Sequence, residues 1–239
     1  MRKLGLIGGM SWFSTRSYYE YINRGVQMRE GPQASAPLLI ESLDFTDLVR
    51  LSGEDDWSRA AKVIGDSAAR LERAGATALV IGANSVHRIY DEVAERVSVP
   101  VIHIAEVVAD RMAANGIRRA ALIGSRNVML ESFYRQKLAD RGIDLLAPQM
   151  RVVEILDRII YDELIAGKVG RQSQRELKTI ITNLSQDGAQ AIVLGATELE
   201  MIVGVNANVL PIYDCTRIHA AAAVDWIMGG RGVAQTLAA

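Results

Sequence analysis

Short apolar runs alternate with stretches of helical period along the whole chain, the pattern expected of a mainly parallel sheet covered by helices. The runs at 3–7, 38–41, 77–81, 101–104, 119–123, 191–194 and 209–212 have strand length. Between them, residues 57–74 set Ala60, Ile64, Ala68 and Leu71 on one helical stripe, and Gly75 stands where that helix stops. Residues 153–165 continue the same style up to Gly167, again at a C-cap position, and a last helix is expected over 216–228.

Laid side by side, the two halves repeat the same punctuation in the same order. Leu4-Gly5-Leu6-Ile7-Gly8-Gly9 is answered by Ala121-Leu122-Ile123-Gly124-Ser125, each a strand-length run ending at small residues. Gly75 to Ser85 (GATALVIGANS) is answered by Gly188 to Glu198 (GAQAIVLGATE), and Val99 to His103 (VPVIH) by Val209 to Tyr213 (VLPIY). A period this long excludes a solenoid and predicts two similar α/β lobes, with parallel sheets of Rossmann-like design related by pseudo-two-fold symmetry. The register assigns 1–98 plus 208–239 to the first lobe and 99–207 to the second, with the last helix packing back on the first. Ligands of such sheets bind at strand C-terminal ends, so an active cleft between the lobes is the expectation. No Pro/Gly/Ser-rich linker separates them.

Composition narrows the partner. With 239 residues, 49% of them hydrophobic, the chain has ample material for a core. The 27 basic and 28 acidic residues leave a net charge of −1, which gives no electrostatic footprint for nucleic acid or for an anionic membrane. No apolar run approaches the ~20 residues of a spanning helix. The opening Met-Arg-Lys is too brief for a secretory signal, and a cytoplasmic location is expected. One cysteine, Cys215, excludes an internal disulfide, and three scattered histidines speak against zinc. What remains is a small-molecule ligand.

The candidate chemistry lies in the turns after the matching strands. Gly8-Gly9-Met10-Ser11, with Ser14 and Thr15 beyond, offers amides and hydroxyls at a helix start, a cradle for a carboxylate or phosphate or simply a tight structural turn. It lacks the dinucleotide G-x-G-x-x-G spacing. Gly82-Ala83-Asn84-Ser85 and Gly195-Ala196-Thr197-Glu198 offer small and polar groups of the kind that would surround a reacting carbon; alternatively Asn84, Ser85 and Thr197 only cap helices. His87 and Glu198 are an acid/base pair in principle, or a locally bonded imidazole and an acid at a helix start. His103, Asp214 and His219 follow the last matched strands and are candidates to support the site. Cys215, next to Asp214, reads as a passive thiol, because a neighbouring carboxylate makes a poorer nucleophile.

Four ordered motifs resemble one family. Gly8-Gly9-Met10-Ser11-Trp12 with Ser14-Thr15, Tyr18-Tyr19 and Ile22-Asn23, then Asn84-Ser85-Val86-His87, then Gly195-Ala196-Thr197-Glu198, then Pro211-Ile212-Tyr213-Asp214 with His219-Ala220, resemble the aspartate/glutamate racemase family across nearly the whole chain. The style is closest to its broad-specificity amino-acid racemases. The resemblance implies a cofactor-independent (PLP-independent) two-base isomerase of amino acids, a homodimer, in which a cysteine from each lobe faces the substrate α-carbon. It also implies that Met10, Ser11, Asn84, Ser85 and Thr197 bind the substrate carboxylate.

The departures are equally specific. Both positions at which the family carries its catalytic cysteines are alanine here, Ala83 and Ala196. A methyl group cannot carry a proton, so the racemase chemistry is expected to be absent or altered. The basic residues that aspartate-specific members use for a second carboxylate map onto Leu48 and about Ile165, with Arg50 nearby. Two other functions stay open: a lyase or isomerase acting on a small carboxylate through His87, Glu198 or Tyr90, and a non-enzymatic carboxylate-binding protein.

Overall fold

A computed structural model describes residues 1–46, 48, 51, 53–204 and 208–230. Contacts divide the chain into two units: Met1–Gly82, Ile89–His103 and His219–Ala239 form the first, and Ala83–Arg88 with Ile104–Ile218 the second.

The first unit is built on four parallel strands, β1 (Leu4–Gly8), β2 (Leu38–Ser42), β3 (Ala78–Ile81) and β4 (Val101–Ile102), in the order β2-β1-β3-β4. β1 and β3 are buried throughout, which is why they read as continuous apolar runs rather than alternating ones. The helices are α1 (Trp12–Glu30), α2 (Glu54–Arg73) and α3 (Tyr90–Ala94). α2 begins with Glu54, Asp55 and Asp56, ends with Arg70 and Arg73, and stops where Gly75 turns left-handed at φ +95, so charge and turn chemistry agree on its limits. It packs closely on β1: a Cβ on Gly5 would lie 3.2 Å from the Leu71 Cβ. On the other face Leu4, Leu6, Ala78 and Val80 join Tyr18, Ile22 and Val26 of α1 and the apolar Ala220, Ala223, Val224 and Ile227. The last four belong to the C-terminal helix, which therefore packs on the first sheet.

His219 ties this layer together from within. It is fully buried; its Nε2–H donates to the Ile102 carbonyl at 2.9 Å, so Nδ1 is the acceptor for the Tyr18 hydroxyl at 2.7 Å. Tyr18→Phe leaves that nitrogen without its donor in an apolar layer. The expected loss is about 1–3 kcal/mol, read as a lower urea midpoint at unchanged m-value.

The second unit repeats the plan. β5 (Arg119–Gly124), β6 (Asp144–Leu145), β7 (Ala191–Gly195) and β8 (Ile212–Asp214) are all parallel and ordered β6-β5-β7-β8, strand for strand the arrangement of the first sheet. Alternate residues face opposite layers. Ala120, Leu122, Ala191 and Val193 pack with α4 (Ile104–Ala114) and α6 (Ser132–Ala139), whereas Ala121, Ile123, Ile192 and Leu194 pack with α7 (Met150–Arg158) and α8 (Arg171–Gln186). A short α5 (Arg126–Leu130) follows β5, and α9 (Cys215–Ile227) follows β8.

Several boundaries differ from the sequence expectation. The contacts break after His103 and after Ile218, later than the 98/99 and 207/208 boundaries read from the repeat, because β4 is laddered to β3 and β8 to β7. The strand expected at 101–104 ends at Ile102, since Ile104 already opens α4. The run 209–212 pairs only from Ile212, and β6, two residues long with an exposed Asp144, carries no apolar signature. The helix expected over 153–165 is α-helical only to Arg158; a wide π turn (Ile159–Glu163) and a 3-10 turn (Leu164–Ala166) complete it before Gly167 at φ +73.

Candidate active site

The turn after β1 is locked by its own side chains. Gly9 N–H donates to Thr15 Oγ1 at 2.7 Å, and that hydroxyl donates to the Ser11 carbonyl at 3.1 Å. Met10, Ser11 and Ser14 are buried, with the Ser11 and Ser14 hydroxyl oxygens 3.4 Å apart, and the Met10–Ser11 peptide is cis. Ser11 is extended before α1 but its side chain does not cap the helix, and the first turn of α1 holds no acid. A helix start of this kind favours an anion.

In the turn after β3, Ala83 and Asn84 are buried, and a 3-10 turn (Ser85–Ile89) follows. Asn84 is 3% exposed, and neither Nδ2 nor Oδ1 finds a hydrogen-bond partner in the protein. A capping asparagine would accept an amide proton through Oδ1, so capping does not account for this residue. Two orphaned amide groups cost on the order of 1–3 kcal/mol each, a cost that a ligand reaching them would relieve.

His87 is held through both nitrogens of its ring. Nδ1 donates to the Ala83 carbonyl at 2.9 Å, and Nε2 accepts the Ile104 amide at 3.2 Å, so both ring nitrogens are engaged by backbone. As a proton carrier it would have to break one of those bonds. Those two bonds fasten the Ala83 turn to the start of α4, and the Arg88–Glu131 ion pair at 3.0 Å holds the same segment from its other end. This is why contacts assign Ala83–Arg88 to the second unit, the one that also carries Ala196.

The turn after β7 mirrors this arrangement. Gly124 and Gly195 approach so closely that a Cβ on the former would lie 2.6 Å from the Gly195 carbonyl oxygen. Ala196 is buried and extended, and a 3-10 turn (Thr197–Met201) rather than an α-helix follows. Thr197 Oγ1 donates to Glu198 Oε2 at 3.1 Å, and both residues are buried. Glu198 is thus held as an acceptor beside the turn, with a threonine hydroxyl on its carboxylate.

The repeat pairs His87, four residues after Ala83, with Glu200, four residues after Ala196, a correspondence that the sequence register alone could have revealed. Where His87 meets the amide that opens α4, the Glu200 charge acts on Asp214 at the end of β8, beside Leu194 in the ladder. Asp214 is buried, its Oδ1 accepts the Arg217 amide at 3.2 Å, and Arg217 Nε lies 3.2 Å from Oδ2 without hydrogen-bond geometry. Arg217 is 55% exposed, so its attraction is screened and burial wins. Burial first, then Glu200, pushes the Asp214 carboxyl from 3.8 up to about 6.

A raised carboxyl pKa means that the folded state holds the proton more tightly than the unfolded chain. The associated stability is fully present below about pH 4 and is lost as pH rises through about 6. Asp214→Asn keeps a side-chain oxygen for the Arg217 amide and removes the titration. Its stability relative to the parent chain is expected to increase from pH 4 to pH 7 by at most about 3 kcal/mol, read from urea melts at the two pH values.

The remaining candidates fall outside these turns. Cys215 is fully buried, 2.8 Å from the Tyr134 hydroxyl, and burial pushes its thiol far above the ordinary range, as a passive cysteine requires. His219 belongs to the core described above, and His103 is buried with its ring 4.6 Å from that of Tyr90, whose hydroxyl donates to the Val101 carbonyl. Leu48 is buried, Ile165 packs against the α7–α8 layer, and Arg50 lies outside the described residues. Thr216, which the sequence reading did not single out, has a buried hydroxyl without a protein partner. Among the described residues no cluster of His, Cys, Asp and Glu is arranged to hold a metal ion, and no helix is long and apolar enough to cross a membrane.

Known proteins share this fold. A candidate Asp/Glu racemase from Yersinia pestis is 36% identical and superposes with a TM-score of 0.87, covering 95% of this chain and 100% of that one. An aspartate racemase homologue from Pyrococcus horikoshii OT3 is 27% identical with a TM-score of 0.82, at 95% and 100% coverage. The broad specificity amino-acid racemase RacX of Bacillus subtilis (strain 168) is 20% identical over 225 residues, 84% of this chain and 96% of that protein. With residues 7–223 matching the Asp/Glu/Hydantoin racemase family, the chain belongs to that family.

Proposed function

We propose that this chain is an amino-acid-binding racemase scaffold whose cofactor-independent two-base chemistry is silent, because Ala83 and Ala196 stand where its relatives carry thiols. The observation that carries this reading is the pair of equivalent turns ending β3 and β7, each presenting a buried methyl group at the position of a proton carrier, with the orphaned amide of Asn84 next to one of them. In this reading Asn84, Ser85 and Thr197 receive the substrate carboxylate, and the turn at Met10 and Ser11 is the anion-receptive start of α1. Leu48 and Ile165 add no positive charge, which favours neutral side chains over a second carboxylate, in keeping with the broad specificity named for RacX. As in the family, the protein acts as a homodimer.

A lyase or isomerase working through His87 and Glu198 is less well supported, since the His87 ring is already spent on backbone bonds. The test is α-proton exchange in heavy water, followed by NMR over a panel of L- and D-amino acids, for the chain as it stands and for Ala83→Cys/Ala196→Cys. Exchange by the parent chain that disappears in His87→Ala or Glu198→Ala would overturn the silent-scaffold reading. Ligand-dependent stabilisation without exchange in either protein would leave a carboxylate-binding protein.

A further inference from the structure

In the second unit an open cavity of about 370 Å³ lies between α6 and the edge strand β6, a size that suits a small-molecule ligand. Arg135 and Ala139 line it from the helix, Ile143, Asp144 and Leu145 from the strand and its approach, and Leu130 from the end of α5. Arg135 is half-buried, and its Nη2 donates to the Leu145 and Leu146 carbonyls at 3.3 and 3.4 Å, which covers the outer edge of β6. Among the described residues its Nε and Nη1 have no acceptor. Lys137 of the same helix and Arg141 just beyond it each hold a carboxylate, Glu106 at 2.6 Å and Asp110 at 2.8 Å. Arg135 forms no ion pair among the described residues, although Asp144 lines the same cavity. Burial pulls its guanidinium below the ordinary value, against the opposing pull of Asp144, so an anion reaching it would find a partly desolvated cation.

Two opposite charges thus line one cavity without pairing with each other. A simple anion satisfies Arg135 but is repelled by Asp144; a ligand that satisfies both carries an anion and a cation close together. We propose that this cavity is a second amino-acid site, separate from the turns after β1, β3 and β7, in which Arg135 holds the α-carboxylate and Asp144 the α-ammonium of an amino acid with an aliphatic side chain. The ladder supplies a further donor. It gives the Asp144 and Leu146 amides to the Arg118 and Ala120 carbonyls at 2.8 and 2.9 Å, so the Leu145 amide faces outward on the side where Arg135 meets its carbonyl. The carboxylate takes charge-assisted bonds from Arg135 and from that amide. Leu130, Ala139 and Ile143 offer apolar surface to the side chain. The site stands whether or not the three turns bind an amino acid.

The test is a titration of the isotope-labelled chain with L-leucine and with isocaproate, its analogue without the ammonium, followed through backbone amide shifts by NMR. Saturable shifts of the Arg135, Gln136 and Leu145 amides are expected with L-leucine, and isocaproate should bind there about tenfold more weakly, the loss of one hydrogen bond to a charged group. Arg135→Gln is expected to weaken L-leucine at these amides by about tenfold or more, while its amide can still donate to the Leu145 carbonyl. Asp144→Asn is the second variant, because Asp144 is exposed and β6 is held to β5 through backbone bonds that it leaves in place. In that variant L-leucine and isocaproate should bind equally. Absent shifts at the three amides, or L-leucine binding there that Arg135→Gln does not weaken, overturns the site. So does isocaproate that matches L-leucine in the parent chain, or a preference for L-leucine that survives in Asp144→Asn. Shifts at Ala83, Asn84, Ala196 and Thr197 report the scaffold reading separately, so either site can fail alone.

Discussion

Ala83→Cys/Ala196→Cys is expected to raise α-proton exchange of neutral amino acids from the solvent background by roughly 10⁴-fold or more, because each restored base contributes on the order of 10²–10⁴. The α-proton of an amino acid is weakly acidic, so a thiolate must sit against one face of the α-carbon and a thiol against the other. Both alanines are buried at the ends of central parallel strands, Ala83 after β3 and Ala196 after β7, and the turns are fixed by contacts that do not involve the methyl groups. His87 grips the carbonyl of residue 83, and Leu199 N–H bonds the carbonyl of residue 196 at 3.2 Å, bonds that a cysteine leaves in place. The single variants separate the two bases. With one thiol, the enantiomer whose α-proton faces it loses that proton to sulfur and regains a deuteron from the same side, so it exchanges without inverting. Only the double variant exchanges and racemises. If the double variant folds, binds amino acids and exchanges nothing, the two turns do not hold an amino acid as the family does, and the silent-scaffold reading falls.

How much of this was legible beforehand depends on where the physical signal resides. Strands buried on both faces announce themselves as apolar runs, and the runs read at 3–7, 77–81, 119–123 and 191–194 lie within one residue of β1, β3, β5 and β7 at either end. The duplicated punctuation foretold two similar lobes, and the two sheets share one strand order. β6 was invisible, since two residues at a sheet edge, one of them an exposed aspartate, bury too little to leave a pattern. The 159–166 segment kept an apolar periodicity that an α-helix would satisfy, yet its backbone widens and then tightens while Ile159, Ile160 and Leu164 share a core with α8. At the site, residue types singled out the turns after β1, β3 and β7, whereas the hydrogen bonds within those turns had no sequence signal. His87 looked like an acid or base because imidazoles often are; the Ile104 amide that occupies its Nε2 lies 17 residues away and no local rule anticipates it. The isolation of Asn84 is likewise a property of what surrounds it in three dimensions.

Gly9→Ala is expected to cost about 3–5 kcal/mol and to remove the anion-receptive turn together with the stability. Gly9 sits at φ +88, a conformation that costs an alanine roughly 1–2 kcal/mol before any contact is counted. The larger part is collision: an added Cβ would lie 2.1 Å from the Leu43 carbonyl oxygen and 2.3 Å from the Leu43 nitrogen. These are backbone atoms, and Leu43 is anchored through its amide to the Gly8 carbonyl at 3.0 Å, in continuation of the β1–β2 ladder. To make room the chain must break that bond, worth about 1 kcal/mol, and move the end of β2, or release Gly9 N–H from Thr15 Oγ1 and with it the link to the Ser11 carbonyl. Either route disturbs the residues that set Met10 and Ser11 at the head of α1. For a protein of this size the penalty corresponds to a Tm lower by roughly 6–20 °C. Gly31→Ala is the matched comparison, because Gly31 also has a positive φ, +102, but nothing lies within 4 Å of an added Cβ there. If the two variants melt together, conformational preference alone governs Gly9; a much lower Tm for Gly9→Ala assigns the difference to the Leu43 backbone that closes over the turn.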